Sequence, residues 1–133
     1  MRMKKNFFLI IFFILLDQLS KYIVRSSGGF YICNKGIAFG ISVPVILIWI
    51  IAITLFFYFD YLISTLKSHL FKLGLILILA GGISNLLDRA TFGCVIDFID
   101  LKFWPVFNLA DTFIVLGVII LLLGLKTDNK NKK

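Results

Sequence analysis

The sequence predicts an all-α integral membrane protein with four transmembrane helices and a single domain over residues 1–133. Hydrophobic residues make up 60% of the chain and charged residues only 16%, whereas soluble domains are about 45–50% apolar and about 25% charged. The apolar residues form four long blocks, and the 14 basic residues, against 7 acidic ones, gather at the block ends. This distribution is typical of bilayer proteins and argues against a soluble enzyme, a disordered tail, a disulfide-stapled secreted module and a nucleic-acid binder.

Each apolar block is long enough to cross a bilayer as a helix, which takes roughly 20 residues. We expect spans at Phe7–Val24, Val43–Phe59, Leu70–Leu87 and Val106–Leu125. The basic start and the ten-residue apolar core 7–16 would also fit a cleaved secretory signal. Because no small-residue cleavage site follows, we favour a retained span.

The distribution of basic residues predicts the orientation. Four spans put both termini and the loop around Lys67 on one side, and the positive-inside rule makes that side cytoplasmic. The segments 26–42 and 90–105 then face outward. The side predicted to be cytoplasmic holds nine of the fourteen basic residues: Arg2, Lys4, Lys5, Lys67, Lys72, Lys126, Lys130, Lys132 and Lys133.

Polar side chains interrupt three of the spans at one depth. They fall at Asp17–Lys21, Gly81–Arg89 and Asn108–Asp111, although a charge in mid-bilayer costs about 2.5–3.5 kcal/mol on insertion scales. All three groups lie in the predicted outer half of the membrane. We therefore expect them to form one cluster.

Helical spacing separates supporting residues from a functional one. Asp17 and Lys21 are four residues apart, as are Asn85 and Arg89, so these four side chains are expected mainly to bond the helices together. Gly81, one turn before Asn85, offers a place for another helix to approach. Asp111 has no cation within one helical turn, which favours a functional role.

Asp97 is the second candidate functional acid. It lies between Ile96 and Phe98 in an extended or re-entrant segment, while Asp100 has Lys102 beside it and is expected to be a solvated rim charge. Asp97 and Asp111 are 14 positions apart, which allows their carboxyl groups to meet. Two carboxyls that share a proton can activate water and polarise a carbonyl, although a proton relay in a transporter would show the same pair.

Other chemistries find little support in the sequence. The one histidine, His69, falls in a predicted cytoplasmic loop, so we expect neither a histidine-containing triad nor a zinc site. Cys33 and Cys94 both fall in outer segments; packed thiols are the favoured interpretation, and a disulfide also fits. We predict no metal and no cofactor.

Five ordered motifs resemble signal peptidase II, the bacterial lipoprotein signal peptidase family. Together they extend over 17–111, and their order makes the match specific. They are Asp17-x-x-x-Lys21, Asn34-x-Gly36-x-Ala38-Phe39-Gly40, Gly81-x-x-x-Asn85-x-x-Asp88-Arg89, Gly93-x-Val95-x-Asp97-Phe98 and Phe107-Asn108-x-Ala110-Asp111.

The resemblance implies a membrane aspartyl endopeptidase of the bacterial cytoplasmic membrane. Such an enzyme removes signal peptides from diacylglyceryl-modified prolipoproteins, cleaving before the lipidated cysteine, and globomycin-type inhibitors act on it. The catalytic dyad falls on Asp97 and Asp111, and Asp17 and Lys21 fall on a supporting motif. The positions implied to line the site and to position the substrate or the dyad are Asn34, Gly36, Asn85, Arg89, Asn108 and Ala110.

The resemblance also implies a small β-rich outer platform after the first helix. The segment 25–42 is short for this family, and Lys35 adds a charge where the family pattern is usually uncharged. Two other classes compete with the peptidase. A proton-coupled transporter would need polar residues through the inner halves of the spans, and a non-catalytic assembly factor would tolerate loss of the aspartate pair.

Overall fold

A computed structural model describes residues 2–36, 44–65 and 68–130. The motif residues Ala38, Phe39 and Gly40 lie outside the described residues, as do Lys67 and the predicted start of the second span at Val43. The described elements are α1 (Arg2–Ser26), β1 (Ile32–Asn34), α2 (Val45–Thr65), α3 (His69–Phe92), β2 (Val95–Asp97) and α4 (Leu109–Lys130).

Among the residues that the structure describes, two helical segments are long and apolar enough to cross a bilayer by themselves. They are Lys5–Ser26, with 22 residues, and His69–Phe92, with 24, each with a mean hydropathy of 2.0. At 1.5 Å per residue the longer measures about 36 Å, more than the roughly 30 Å hydrocarbon layer. The other two helices contain the shorter apolar segments Ile50–Ile63 and Leu109–Gly124. The fold is thus mostly helical, with lipid-compatible surfaces such as that around Phe8, which is 69% exposed.

The ends of two helices differ from the predicted spans. The last helix begins at Leu109 and not at Val106, because Phe107 pairs with Ile99 in an isolated antiparallel β-bridge. The third helix continues past Leu87 and ends at Phe92, where it is capped by Gly93, whose φ of 71° suits the left-handed cap position.

Glycines let α3 and α4 pack backbone against backbone. A Cβ atom at Gly117 would lie 2.6 Å from the carbonyl oxygen of Gly74, and one at Gly81 would overlap the carbonyl oxygen of Ala110. Contacts this close exclude any larger side chain. The helix approach predicted at Gly81 is therefore present, and α4 is the helix that approaches.

A small sheet joins the two segments that connect helices at the same end of the bundle. β1 and β2 are antiparallel, with Cys33 opposite Ile96 and Asn34 opposite Val95. Cys33 and Cys94 form a disulfide with a Cα–Cα distance of 5.4 Å. The expectation of packed thiols is therefore wrong, because strand pairing brings the two cysteines within bonding range.

Candidate active site

The first turn of α4 holds Asp111 through a reciprocal cap. The Asn108 Oδ1 atom accepts a hydrogen bond from the Asp111 backbone N–H at 2.9 Å, and Asp111 Oδ2 accepts one from the Asn108 N–H at 3.2 Å. This is the geometry of a capping box, with Asn and Asp in its two positions. The amide of Asn85 donates to the other carboxyl oxygen of Asp111 at 2.8 Å. Hydrogen bonds thus fix the positions of both carboxyl oxygens of Asp111.

The edge of the small sheet holds Asp97. Its carboxyl accepts hydrogen bonds from Asn108 Nδ2 at 2.7 Å and from Asn34 Nδ2 at 2.9 Å. Burial raises the pKa of Asp97 and the negative charge of Asp111 acts in the same direction, while the amides of Asn34 and Asn108 oppose the rise. Asn108 therefore links the two aspartates. Its side-chain amide donates to the Asp97 carboxyl, and its side-chain oxygen and backbone N–H both bond Asp111.

A buried charge cluster lies behind the two carboxyls. Lys21 Nζ lies 2.6 Å from an oxygen of Asp17 and 2.8 Å from one of Asp88, and it donates to Asn85 Oδ1 at 3.1 Å. These three charged side chains are at most 2% exposed. Asp17 also accepts the backbone N–H of Ala110 at 2.9 Å. A carboxylate of α1 thus lies at the positive end of α4, where helix geometry favours an anion.

Three residues of this network, Gln18, Ser84 and Asp88, were not among the site residues predicted from the sequence. Asp88 accepts the backbone N–H of Ile96 at 3.0 Å and so fixes β2 to α3. Gln18 donates to Asp88 at 2.8 Å and to the Ser84 hydroxyl at 2.9 Å, and that hydroxyl donates to Asp17 at 2.7 Å. The available signal was spacing, because Ser84 and Asp88 are polar residues four apart on an apolar helix. We call 17–21, 84–89 and 108–111 the site end of the bundle.

Arg89 and Gly36 form a separate contact beside the dyad. The Arg89 guanidinium donates to the Gly36 carbonyl at 2.9 Å, and the Gly36 N–H donates to Asn34 Oδ1 at 3.0 Å. The guanidinium thereby connects α3 to the residues after β1. Farther out, Asp100 pairs with Lys102 at 2.6 Å; Lys102 is 85% exposed and Asp100 21%, so the predicted rim charge is paired and only partly solvated.

A cavity of about 1510 Å³ opens beside these groups. The Asp97 and Asp111 side chains line its site end, while α2 and the middle of α3 supply apolar walls. Asn108 and Ala110 are fully buried; they lie behind the carboxyls and do not line the cavity. The other predicted site residues in the cavity wall are Asn34, Gly36, Asn85 and Arg89.

Within the ranges described above, no group of three or more His, Cys, Asp or Glu side chains is arranged to hold a metal ion. The polar side chains in the cavity wall include the carboxyls of Asp97 and Asp111, the amides of Asn34 and Asn85, and the basic groups of Lys35 and Arg89. Carboxyl pairs of this kind are suited to acid–base chemistry on a bound water.

The fold is an apolar helical bundle, and two aspartates, each hydrogen-bonded to Asn108, lie at a large cavity. These features fit the class of aspartic-type membrane endopeptidases. The family model described as signal peptidase (SPase) II matches residues 9–126. The chain belongs to the signal peptidase II family.

Individual relatives agree with this assignment. The chain is 42% identical over 125 residues to the lipoprotein signal peptidase of Moorella thermoacetica, covering 80% of this chain and 82% of that one. It is 34% identical to the lipoprotein signal peptidase of Halothermothrix orenii over 93% of this chain and 97% of the relative.

Solved structures match as well. A structure described as a bacterial membrane enzyme superimposes with a TM-score of 0.88 at 28% identity, covering 98% of this chain and 92% of that one. A second bacterial membrane enzyme, at 24% identity and a TM-score of 0.80 over 92% of each chain, supports the fold.

Proposed function

We propose that the chain cleaves diacylglyceryl-modified prolipoproteins immediately before the lipidated cysteine, with Asp97 and Asp111 as the catalytic dyad. The observation that carries this proposal is the hydrogen bonding of both carboxyls to one residue, Asn108, at the edge of the 1510 Å³ cavity: its side-chain amide donates to Asp97 and its backbone N–H donates to Asp111. The names of the relatives, lipoprotein signal peptidases, supply the substrate class.

The dyad performs hydrolysis without a covalent intermediate. Asp97, whose pKa burial raises, holds the shared proton and donates a hydrogen bond to the scissile carbonyl. Asp111 accepts two N–H bonds at the positive end of α4, so it acts as the carboxylate that takes a proton from water. The water oxygen adds to the carbonyl carbon, the C–N bond then breaks, and the departing nitrogen takes a proton from the dyad.

The neighbouring residues hold this geometry. Asn34 and Asn85 each fix one carboxyl through an amide donor, and Asp17 and Lys21 support the start of α4 from behind. Arg89 keeps Gly36 and the end of β1 beside the cavity. A misplacement of about 1 Å can cost roughly a hundredfold in rate, which makes these supports necessary.

The cavity suits a lipidated peptide better than an ion or a small solute. Its volume exceeds the roughly 300–1,000 Å³ of small-molecule sites, and its walls along α2 are apolar from Ile51 to Phe59. An acyl chain and an apolar peptide segment can occupy such walls, whereas a transporter path needs polar groups along its length. Globomycin-type inhibitors would compete for the same space.

All four helices cross the membrane in this proposal, and the chain is one domain with both termini cytoplasmic. The β1–β2 sheet then forms a small platform on the outer face, beside the dyad. The Cys33–Cys94 disulfide fits that side, because disulfides persist in oxidising compartments. A lipidated substrate anchored in the same membrane presents its cleavage site at this depth.

The catalytic assignment is tested with purified protein and a lipidated prolipoprotein, by mass spectrometry of the released signal peptide. Asp97→Asn and Asp111→Asn are each expected to lower the cleavage rate by about a hundredfold to ten-thousandfold, since general acid–base groups contribute roughly 10²–10⁴-fold each. Asp100→Asn is the matched control, because this neutral substitution falls three residues from Asp97 on an exposed ion pair.

Normal cleavage by either dyad variant would overturn the assignment. If Asp100→Asn lowered the cleavage rate as much as the two dyad variants do, the loss would follow from removing any negative charge in this region and not from the dyad. Cleavage at an unlipidated cysteine as fast as at the lipidated one would instead contradict the proposed substrate class.

Orientation is tested by single cysteines introduced into the chain, because the native pair is oxidised. Ser27→Cys, in the turn after α1, should react with a membrane-impermeant maleimide added outside intact spheroplasts. Thr65→Cys, at the end of α2, should react only after lysis. The reverse pattern would invert the proposed topology.

A further inference from the structure

A second cavity lies at the opposite end of the bundle, between the start of α1 and the start of α3. Its volume is about 230 Å³. We call this the far end. The cavity is lined by Lys5, Asn6, Leu9, His69, Lys72, Leu73 and Ile76.

The polar side of this far-end cavity is positively charged and uncompensated. Lys5, His69 and Lys72 converge on it. In the part of the chain that the structure describes, no acidic side chain lines the cavity and no ion pair includes any of these three. Such a cluster is favourable when an anion occupies it.

The backbone adds to the same positive field. α3 begins at His69, behind the cap residue Ser68, and its first turn contains no acidic residue. The start of a helix carries a partial positive charge. Lys72 therefore lies near the end of α3 that repels it, and an anion between α1 and α3 would relieve this repulsion.

The remaining lining is apolar and continues along the helices. Leu9 and Ile76 belong to the apolar packing between α1 and α3, and Leu73 is 37% exposed. Lys5 lies in the first turns of α1 (Arg2–Ser26), and His69 is the first residue of α3; both helices contain a segment long and apolar enough to cross a bilayer. The basic groups thus lie at a water–membrane boundary, with an apolar surface leading away from them into the lipid.

We propose that this cavity binds the phosphodiester headgroup of an anionic phospholipid, whose acyl chains lie along α1 and α3. Basic pockets between membrane helices are suited to anionic headgroups. The lipid neutralises the two lysines, Lys5 and Lys72, and holds α1 against α3 at the far end. This inference does not depend on which residues hydrolyse the substrate.

The test measures lipid binding to the full-length protein in neutral detergent. Phosphatidylglycerol, added in mixed micelles, is expected to raise the thermal unfolding temperature and to remain bound in native mass spectra, whereas phosphatidylcholine is not. The double variant Lys5→Gln/Lys72→Gln should bind phosphatidylglycerol roughly thirtyfold more weakly, from the contribution of each basic group near an anionic headgroup. Lys5→Arg/Lys72→Arg should retain binding.

The matched control is Arg25→Gln/Lys102→Gln, which removes the same charge from two exposed positions away from the far end. Circular dichroism establishes that each variant is folded before binding is compared. Equal responses to the two lipids, or equal weakening in the control, would overturn the proposal. Inorganic phosphate is tested in the same way. If it raises the unfolding temperature as much as phosphatidylglycerol does, and if Lys5→Gln/Lys72→Gln weakens both effects equally, the cavity is a site for free anions and the lipid assignment is overturned.

Discussion

The two ends of the helix bundle are held together by different forces. At the site end, buried charged and amide side chains join α1, α3 and α4 through directed hydrogen bonds. At the far end, Leu75 and Ile76 lie in an aliphatic cluster, and Gly74 and Gly117 bring two backbones into contact. Aliphatic packing holds helices together with little preference for one atom's position. Hydrogen bonds fix particular atoms, as a pair of catalytic carboxyls requires.

The polar network at the site end is complete. Among the described residues, every buried side-chain nitrogen or oxygen has a hydrogen-bond partner. A fully satisfied network rigidifies its surroundings, whereas a partly satisfied one destabilises them. Loss of one member is therefore expected to disturb both stability and the dyad, while loss of packing at the far end should disturb stability alone.

The largest effect is expected from Lys21→Met. This substitution leaves the buried carboxylates of Asp17 and Asp88 without their shared cation. Breaking a buried ion pair costs about 3–5 kcal/mol, and the start of α4 should shift with Asp17. We expect a much lower unfolding temperature in detergent and at least about a hundredfold loss of cleavage rate from the folded fraction.

Lys102→Met is the control for this prediction. Lys102 pairs with Asp100 at the same 2.6 Å separation, yet it is 85% exposed. Exposed pairs contribute little to stability, so this variant should match the parent protein in both measurements. If Lys21→Met were as stable and as active as Lys102→Met, the buried network would have no positioning role.

The next effect is expected from Cys33→Ser/Cys94→Ser. The disulfide joins residues 61 positions apart and ties β1, which carries Asn34, to the residue before β2. Native disulfides typically contribute about 2–4 kcal/mol. We expect a lower unfolding temperature and a slower rate, because Asn34 loses its fixed place beside Asp97.

Reduction of the parent protein should reproduce this loss, and reduction of the serine variant should change nothing further. An unchanged unfolding temperature in the double-serine protein would show that strand pairing alone holds Asn34.

The sequence was sufficient to predict the features that depend on residues near one another in the chain. Hydropathy predicted the approximate positions of the helices, and the four-residue spacing of Asp17 and Lys21 predicted their ion pair. The common depth of the polar residues predicted one cluster, which the hydrogen bonds between α1, α3 and α4 now show.

Features that depend on pairing between distant segments were not predictable. The Cys33–Cys94 bond requires the register of β1 against β2, and two three-residue strands carry too little pattern to predict a register. The start of α4 likewise depends on the bridge between Ile99 and Phe107. Asp88 was recognised as part of a motif but was not assigned to the site for the same reason, since its partners Lys21 and Ile96 belong to other elements.

A smaller effect, at the far end, is expected from Gly117→Ala. The added Cβ atom would lie 2.6 Å from the Gly74 carbonyl oxygen and 2.7 Å from a carbon of Ile78. Overpacking costs about 1–3 kcal/mol, reduced by up to about 1 kcal/mol because alanine favours helix. The unfolding temperature should fall while the cleavage rate of the folded protein is retained.

Gly82→Ala is the control for stability, because a Cβ atom there meets nothing within 4 Å. This variant should be as stable as the parent protein or slightly more so. A Gly117→Ala protein that lost its cleavage rate along with its stability would contradict the division between the two ends.

The smallest change in stability, with the most specific readout, is expected from Asn34→Ala. The amide of Asn34 donates to Asp97 at 2.9 Å and lowers the pKa of that carboxyl, against the rise caused by burial. Without this donor the pKa of Asp97 should be higher still. The alkaline limb of the pH–rate profile reports loss of the proton that the dyad shares, so this limb should move to higher pH even as the maximal rate falls.

Lys102→Gln provides the comparison, because it removes a nearby positive charge that contacts Asp100 and has no contact with Asp97. Its alkaline limb should stay where the parent's is. A shift to lower pH in Asn34→Ala would mean that Asn34 stabilises the protonated form of Asp97, which would reverse the roles proposed for the two carboxyls. In that case the hydrogen bond from Asn34 to Asp97 would determine which aspartate activates the water. The apolar packing contacts at the far end do not act on either carboxyl in this way.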